Sequence, residues 1–213
     1  MAEILQSDLT VGSANKKIVL ASASPTRAFL LKAAGVPYTV KPSRVDEQEF
    51  KISMGTDGAS PVEIAEVLAE AKAISVSQKI PDKIVLGADQ VLAFRDTIFS
   101  KPVNRAGALK QLQELRGHEH ELISYAVIAE AGRRIWHASS NAKLTIRADV
   151  TDEFLNEYLN TASADILNGP GAYKVESLGV QLFSDISGSH YTILGLPLLA
   201  LLDFLRVKGI LMI

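Results

Sequence analysis

Charged side chains interrupt several apolar stretches of this 213-residue chain, where they could do chemistry. Lys72 lies among alanines in a helical pattern, Asp89 breaks an apolar run after IVLGA, and Lys101 precedes a helical pattern in the step SKP. A buried, unpaired carboxylate is costly, so Asp89 is expected at a strand end, facing a cleft, a metal or a cation. Each residue also has a plainer interpretation. Asp89 could be a turn aspartate, Lys72 a lysine whose stem covers apolar surface, and Lys101 a solvated loop lysine.

The turn between an apolar run and a helical pattern in residues 17–35 contains two hydroxyls and an arginine. Ser22, Ser24 and Arg27 could bind one anion together with the amides of the helix N-terminus, because the helix dipole and a guanidinium both favour negative charge. The alternative is that Ser24 only caps the helix.

Two loop stretches add further candidates. Glu47 lies in the polar stretch VDEQ, where a surface acid is the plainer interpretation. The glycine-rich stretch GPGAYKVESLG places Tyr173 and Glu176 in a loop of the kind that shapes ligand pockets. Tyr173 could stack on a base or belong to the core. His118 and His120 share a strand face without a nearby third ligand, so a metal pair is disfavoured.

Taken together, these residues supply cations that neutralise a polyphosphate and acids that hold a divalent metal or deprotonate a water. This combination predicts a metal-dependent phosphoanhydride hydrolase using Mg²⁺ or Mn²⁺. The glycine-rich loop ending in Lys-Ser/Thr is missing from the sequence, which disfavours a P-loop nucleoside triphosphatase. The cations are Arg27, Lys72 and Lys101, and the acids are Glu47, Asp89 and Glu176.

Composition narrows the function further. The net charge of −2 lacks the basic excess of a protein that binds nucleic acid polymers. The chain has no cysteine, which excludes disulfides, thiolate nucleophiles and thiolate zinc sites. Without a signal peptide or an apolar run of about 18 residues, no membrane association and a cytoplasmic location are expected.

Strand and helix patterns interleave along the chain, which predicts an α/β fold with a mixed central sheet flanked by helices. Residues 1–16 are expected to be a loosely ordered extension, and residues 17–213 one α/β domain with two lobes. Helical patterns cover 25–34, 61–78, 104–115, 152–159 and 197–207, with Asn104 and Thr151 as N-caps. Strands are expected at 18–21 and 38–40, and two more within 83–94, one on each side of an interruption. A long strand pair is expected within 118–147, and a hairpin within 179–197.

Seven stretches follow one another over residues 17–207: LASASPTRAFLL, VDEQ, AEAKA, LGADQVL, SKPVNRAGALKQLQELRGHEHE, GPGAYKVESLG and ISGSHYTILGLPL. In their residues and their order these stretches give the chain a resemblance to the Maf family of nucleoside triphosphate pyrophosphatases. It implies a two-lobed fold with a cleft, related to the inosine-triphosphate pyrophosphatases. It also implies metal-dependent hydrolysis of a nucleoside triphosphate to monophosphate and pyrophosphate, and a homodimer as a family-level expectation.

The resemblance assigns roles residue by residue. Catalytic roles fall on Glu47, Lys72, Asp89 and Lys101, with Asp89 as proton acceptor. A metal is expected on some of Glu47, Asp89 and Glu176, with Glu47 and Asp89 as the ligands predicted here. Substrate binding falls on Ser22, Ser24, Arg27, Gln90, Lys101, Tyr173 and Glu176.

Three departures from the usual family pattern point to a substrate. Thr26 stands where the family usually has arginine, Gln90 where it has threonine, and YKVES, with Lys174 and Glu176, replaces YGIQG. All three resemble the branch associated with 7-methyl-GTP, and an anionic Glu176 near the base would favour the cationic N7-methylated ring. A dTTP/UTP pyrophosphatase and a non-catalytic nucleotide-binding regulator of septum formation are the alternatives. The retained acids and lysines favour an enzyme.

Overall fold

The structure is a computed structural model that describes residues 17–47, 50, 58–95 and 97–212. Seven strands of these ranges form one mixed sheet in the order β2-β1-β3-β5-β6-β7, with β4 paired to β3. β1 runs parallel to both of its neighbours, whereas the pairs that β3, β5, β6 and β7 form in succession are antiparallel. The predicted α/β class with a mixed sheet is confirmed. The strands are β1 Ile18–Leu20, β2 Tyr38–Val40, β3 Val85–Phe94, β4 Thr97–Phe99, β5 Glu119–Glu130, β6 Arg133–Ile146 and β7 Phe183–Gly188.

Six α-helices of the described ranges flank the sheet. N-cap side chains begin four of them: Ser24, Ser60, Asn104 and Thr151 each accept a hydrogen bond from a backbone amide three residues on. The predicted caps Asn104 and Thr151 are confirmed. No helix in the described part of the chain has the length and apolarity needed to cross a membrane. The helices are α1 Pro25–Ala33, α2 Pro61–Ser77, α3 Arg105–Leu115, α4 Asp152–Thr161, α5 His190–Ile193 and α6 Leu198–Val207.

Two sequence predictions were wrong. Asp89 does not lie at a strand end or in a hairpin turn, because β3 continues through Gly87–Gln90 and pairs with β5 along this stretch. Residues 179–197 do not form a hairpin: β7 pairs with β6, and the chain then turns into the short helix α5. The β-prone residues of α5 follow tertiary packing instead, since Thr192 and Ile193 are buried.

Successive side chains of β3 point to opposite faces of the sheet, so its residues pack into different hydrophobic clusters. Val91 faces helix α2, in a cluster with the buried residues of that helix. On the opposite face, Leu86 and Ala88 pack with residues of α1 and α6. Farther along the same face, Leu92 and Phe94 pack with residues of α3 and α4. One face of the sheet therefore carries two hydrophobic clusters, which form the two lobes.

Strand β3 and helix α2 approach each other closely at Gly87. A Cβ atom added there would lie 2.2 Å from the carbonyl oxygen of Ala69 and 2.5 Å from the backbone nitrogen of Ala73. Only glycine permits this approach, which brings Lys72 of α2 against Asp89 of β3.

Candidate active site

A cavity of about 370 Å³ is lined by residues from both faces of β3, among them Asp89 and Gln90. The β1–α1 turn lines one side of it, and residues 166–176 line the other. All ten side chains that the sequence predicts for the site line this single cavity: Ser22, Ser24, Arg27, Glu47, Lys72, Asp89, Gln90, Lys101, Tyr173 and Glu176.

Lys72 is the centre of a charged cluster in this cavity. Its ammonium nitrogen Nζ lies 2.5 Å from Oδ1 of Asp89 and 2.6 Å from Oε1 of Glu47. The side chains of Lys72 and Asp89 are almost fully buried, whereas that of Glu47 is 32% exposed. The alternative that Lys72 extends its charge into solvent is therefore wrong.

Glu47 joins this cluster to a second lysine. Its Oε2 atom lies 3.3 Å from Nζ of Lys101, a half-exposed side chain in the step between β4 and α3. Burial alone would raise the pKa of Glu47, but the positive charges of Lys72 and Lys101 outweigh burial and lower it to about 2. Glu47 is therefore ionised throughout the neutral range, and the alternative of an unpaired surface acid is wrong.

Asp89 keeps one oxygen free of hydrogen bonds. Its buried Oδ2 atom has no partner among the residues that the structure describes. A carboxyl oxygen in that position fits a water or a cation, because carboxylate oxygens are the ligands that Mg²⁺ and Mn²⁺ prefer. No group of three His, Asp or Glu side chains in the described ranges could hold a metal. Glu47 and Asp89 are two carboxylates that share the ammonium of Lys72, and such a pair would suit a cation that takes its other ligands from phosphates and waters.

The β1–α1 turn caps α1 and also holds the arginine that was predicted to bind an anion. Ser24 caps α1 by accepting from the amide of Arg27 at 3.3 Å. The hydroxyl of Ser22 accepts from Nη1 of Arg27 at 3.1 Å, and the carbonyl of Gly195 accepts from Nε at 2.9 Å. Burial lowers the pKa of Arg27, and the nearby carboxylates of Asp89 and Glu47 raise it. The buried guanidinium lines the cavity together with Thr26, the residue before it in sequence.

Gln90 lines the cavity, but its amide group is used within the protein. The Nε2 atom donates to the carbonyl oxygens of Thr192 at 2.8 Å and Ile193 at 3.0 Å. Ser124 donates to the same Thr192 carbonyl at 2.8 Å. Ser124 and Gly195 were missed by the sequence analysis because they act on or through backbone carbonyls.

The loop of residues 169–179 forms the opposite wall. The hydroxyl of Tyr173 lies 2.6 Å from Nε2 of His120, and its ring packs edge-on against Phe183. Burial raises the pKa of Tyr173 and lowers that of His120 to about 4, so both are neutral at neutral pH. Tyr173 is thus a fixed part of the wall, and Glu176 is exposed at the rim of the cavity.

The chain is similar to known proteins over most of its length. The sequence profile described as Maf-like protein matches residues 17–208. A nucleoside triphosphate pyrophosphatase of Paramagnetospirillum magneticum is 46% identical over 90% of this chain and 98% of its own length. A 7-methyl-GTP pyrophosphatase of Brucella abortus is 43% identical over 89% of this chain and 95% of its own length.

A solved structure adds a weaker likeness. A nucleoside-triphosphatase/dITP/XTP pyrophosphatase of Mycobacterium abscessus aligns over 91% of this chain and 94% of its own, at 15% identity and a TM-score of 0.40. That score carries no argument, so the relation to the inosine-triphosphate pyrophosphatase fold stays a prediction.

Proposed function

The chain belongs to the Maf family, and from that premise we propose that it is a nucleoside triphosphate pyrophosphatase. It hydrolyses the bond between the α- and β-phosphates and releases a nucleoside monophosphate and pyrophosphate. The observation that carries this proposal is the cluster in which one buried ammonium, Lys72, joins the carboxylates of Glu47 and Asp89 inside the cavity.

The triphosphate binds along the β1–α1 turn. The first amides of a helix lack partners within the helix and carry its positive dipole end. In the first turn of α1, Pro25 has no amide hydrogen, and the amide of Arg27 already donates to Ser24. The amide of Thr26 is therefore the one that can donate to a phosphate. Arg27 has five N–H donors, of which Ser22 and Gly195 accept two. The small side chain of Thr26 leaves room for the anion beside this guanidinium.

Asp89 acts on the attacking water. Lys72 holds Oδ1, so Oδ2 is the atom that orients the water and accepts its proton. The water oxygen forms a bond to the α-phosphorus while the bond from this phosphorus to the bridging oxygen breaks. Arg27 and Lys101 neutralise the charge that develops as pyrophosphate leaves.

Glu47 and Asp89 would also hold a divalent cation, Mg²⁺ or Mn²⁺. When bound, such a cation neutralises phosphate oxygens and polarises the phosphorus toward attack. The hard oxygen donors of these two neighbouring carboxylates support this assignment.

The substrate that we propose is 7-methyl-GTP. Two relatives from Brucella species, 43% and 44% identical, carry the name 7-methyl-GTP pyrophosphatase. N7-methylation makes the guanine ring cationic, and Glu176 places a negative charge at the cavity rim opposite the phosphate-binding turn. A neutral residue in that position would give no such preference.

Product analysis tests the proposal. The protein is incubated with magnesium or manganese and a panel of 7-methyl-GTP, GTP, dTTP, UTP and other triphosphates, and the products are separated. Monophosphate and pyrophosphate in equal amounts are expected, with 7-methyl-GTP turned over fastest. Diphosphate and orthophosphate would refute the position of the cleavage, and faster turnover of dTTP or UTP would refute the substrate assignment.

A further inference from the structure

Residues 169–176 line one side of the cavity, and we refer to them as the wall. The backbone of the wall does not favour its own conformation. Gly171 has a φ of +83° and Ala172 a φ of +56°, and this left-handed region is unfavourable for a residue with a side chain. Such strain persists only where surrounding contacts fix the backbone. These contacts therefore decide where the following residues of the wall, up to Glu176, lie.

Side chains from three different elements hold the strained part of the wall. The amide of Gly171 donates to Oε1 of Gln111 on α3 at 3.1 Å. The carbonyl of the next residue accepts from the hydroxyl of Tyr158 on α4 at 3.3 Å. The hydroxyl of Tyr173 lies 2.6 Å from Nε2 of His120 on β5. The first two contacts tie the wall to helices, and the third ties it to the central sheet.

Water does not easily replace the contact between Tyr173 and His120. His120 is 3% exposed and lies behind the cavity lining, to which Tyr173 belongs. The centre of its imidazole ring lies 5.5 Å from that of the Tyr173 ring and 6.3 Å from that of Phe183, at the start of β7. A polar group that loses its partner in such surroundings costs more than the hydrogen bond contributes. Loss of either the imidazole or the hydroxyl therefore favours conformations in which Tyr173 moves away from the sheet.

We infer that His120 is a positioning residue: through Tyr173 it keeps the wall in the conformation that places Glu176 at the cavity rim, where the wall binds the nucleoside half of the substrate. The inference rests on the proposed function and deepens it. The β1–α1 turn, which binds the phosphates in that proposal, is held by contacts of its own. His120 therefore affects how tightly a nucleotide binds, but not how tightly pyrophosphate binds or how fast the bound substrate reacts.

The experiment compares His120→Leu, Tyr173→Phe and the double variant. Each single change leaves one polar group without its partner, whereas the double variant replaces both members of the pair with apolar groups. His137→Leu is the matched control, because it removes a second contact of this kind outside the cavity lining, 2.6 Å between Nδ1 of His137 and the hydroxyl of Tyr125. KM and kcat are measured for 7-methyl-GTP and GTP, and binding of inorganic pyrophosphate is measured by calorimetry with magnesium present. Unfolding in urea reports whether each variant is folded.

For each single variant we expect KM to rise about three- to tenfold for both nucleotides, because the substrate binds only the molecules whose wall is in place. We expect kcat and the affinity for pyrophosphate to stay within about twofold of the unchanged protein. The double variant and His137→Leu should have nearly the KM of the unchanged protein.

Four results would overturn the inference. They are single variants that keep their KM, a double variant whose KM is no lower than theirs, an equal rise of KM in His137→Leu, and weaker binding of pyrophosphate. The first two would mean that His120 and Tyr173 stabilise the fold without positioning the wall. If His120→Leu fails to fold, Tyr173→Phe and the double variant decide by the same criteria.

The two proposals fail differently. An unchanged protein that binds 7-methyl-GTP without hydrolysing it contradicts the proposed function, and its affinity for this nucleotide in calorimetry then takes the place of KM in the test of His120. An active protein whose single variants keep their KM contradicts the positioning role alone. An unchanged protein that neither binds nor hydrolyses a nucleotide contradicts both.

Discussion

Lys72 on helix α2 and Asp89 on strand β3 form a buried ion pair, with 2.5 Å between Nζ and Oδ1. The pair joins a helix to the middle of the sheet, and Glu47 binds the same ammonium through Oε1. A buried pair adds little stability compared with apolar residues, but removing one partner leaves an uncompensated charge. The pair holds one oxygen of Asp89 and leaves the buried Oδ2 atom without a partner among the described residues, as the proposed mechanism requires.

Lys72→Met is expected to destabilise the protein by about 3–5 kcal/mol, because it leaves two carboxylates without their shared cation. Equilibrium unfolding in urea measures this loss. The double variant Lys72→Met/Asp89→Asn should lose clearly less than the sum of the two single changes, since the second change removes one of the orphaned charges. Additive losses would show that the pair does not couple the helix to the strand. Lys110→Met, at an exposed lysine of α3, should change stability by no more than about 0.5 kcal/mol.

Asp89→Asn should lower kcat by roughly 10²–10⁴, the range of a lost general base, while the folded structure is retained. The amide keeps the shape of the carboxylate but accepts a proton poorly. Steady-state hydrolysis of 7-methyl-GTP and a circular dichroism spectrum provide the two readouts. Asp82→Asn, at an exposed aspartate outside the cavity, should leave both unchanged. A near-normal kcat in Asp89→Asn would show that Asp89 is not the general base.

Because the pKa of Glu47 is lowered, the free energy of unfolding is expected to fall as the solution becomes acidic. A carboxyl whose pKa falls from 4.5 in the unfolded chain to about 2 in the folded protein stabilises fully above pH 4.5, and loses this contribution as the pH falls toward 2. Unfolding free energies are measured for the protein and for Glu47→Gln from about pH 6 to about pH 3. Glu47→Gln should be the less stable protein at pH 6, and the difference should shrink steadily on acidification. A difference that is constant with pH would contradict the pairing of Glu47 with the two lysines.

The sequence predicts those parts of the fold that are decided locally. Asn104 and Thr151 were recognisable as caps because each bonds an amide only three residues on. Asp89 was misplaced because Gly-Ala-Asp-Gln reads as a turn, and only the pairing with β5, a strand distant in sequence, keeps this stretch extended. Helix α5 was missed for the same reason: burial against the sheet decides its conformation.

The residues of the candidate active site also differ in whether the sequence predicts them. Its charged residues could be predicted because phosphate chemistry requires their types, and each of them lines the cavity. Ser124, Ser140 and Gly195 were not predicted, since they hold a backbone turn or an arginine and carry no charge that marks them in the sequence. The shared level of Gln90, Ser124 and Ser140 in the sheet becomes visible only when the register of β3, β5 and β6 is known.

Gly87→Ala should severely destabilise the protein, by about 3 kcal/mol or more, because the added Cβ atom would lie 2.2 Å from backbone of α2. The helix must move away, which separates Lys72 from Asp89 and lowers activity as well. Thermal unfolding and kcat measure both effects. Gly107→Ala, inside α3, is the control: its Cβ meets nothing closer than 3.6 Å, so the better helix propensity of alanine should stabilise by up to about 1 kcal/mol. Similar stability of the two variants would contradict the close packing of β3 on α2.

Glu176→Gln should reduce the preference for 7-methyl-GTP over GTP. Glu176 is exposed at the rim, so its attraction for the cationic ring is partly screened and is expected to contribute about 0.5–1 kcal/mol. This predicts a two- to fivefold fall in the ratio of the two kcat/KM values, mainly through KM for 7-methyl-GTP. Turnover of GTP should stay nearly constant, because the neutral base gains nothing from the charge.

Salt provides an independent check of this electrostatic origin. Raising the ionic strength should diminish the preference of the unchanged protein and have little influence on that of Glu176→Gln, because screening acts on exposed charges. An unchanged ratio in Glu176→Gln would mean that the methylated base is selected by the shape of the cavity wall around Tyr173 instead. Tyr173→Phe, which removes the hydroxyl contact with His120, would then be the variant that changes the ratio.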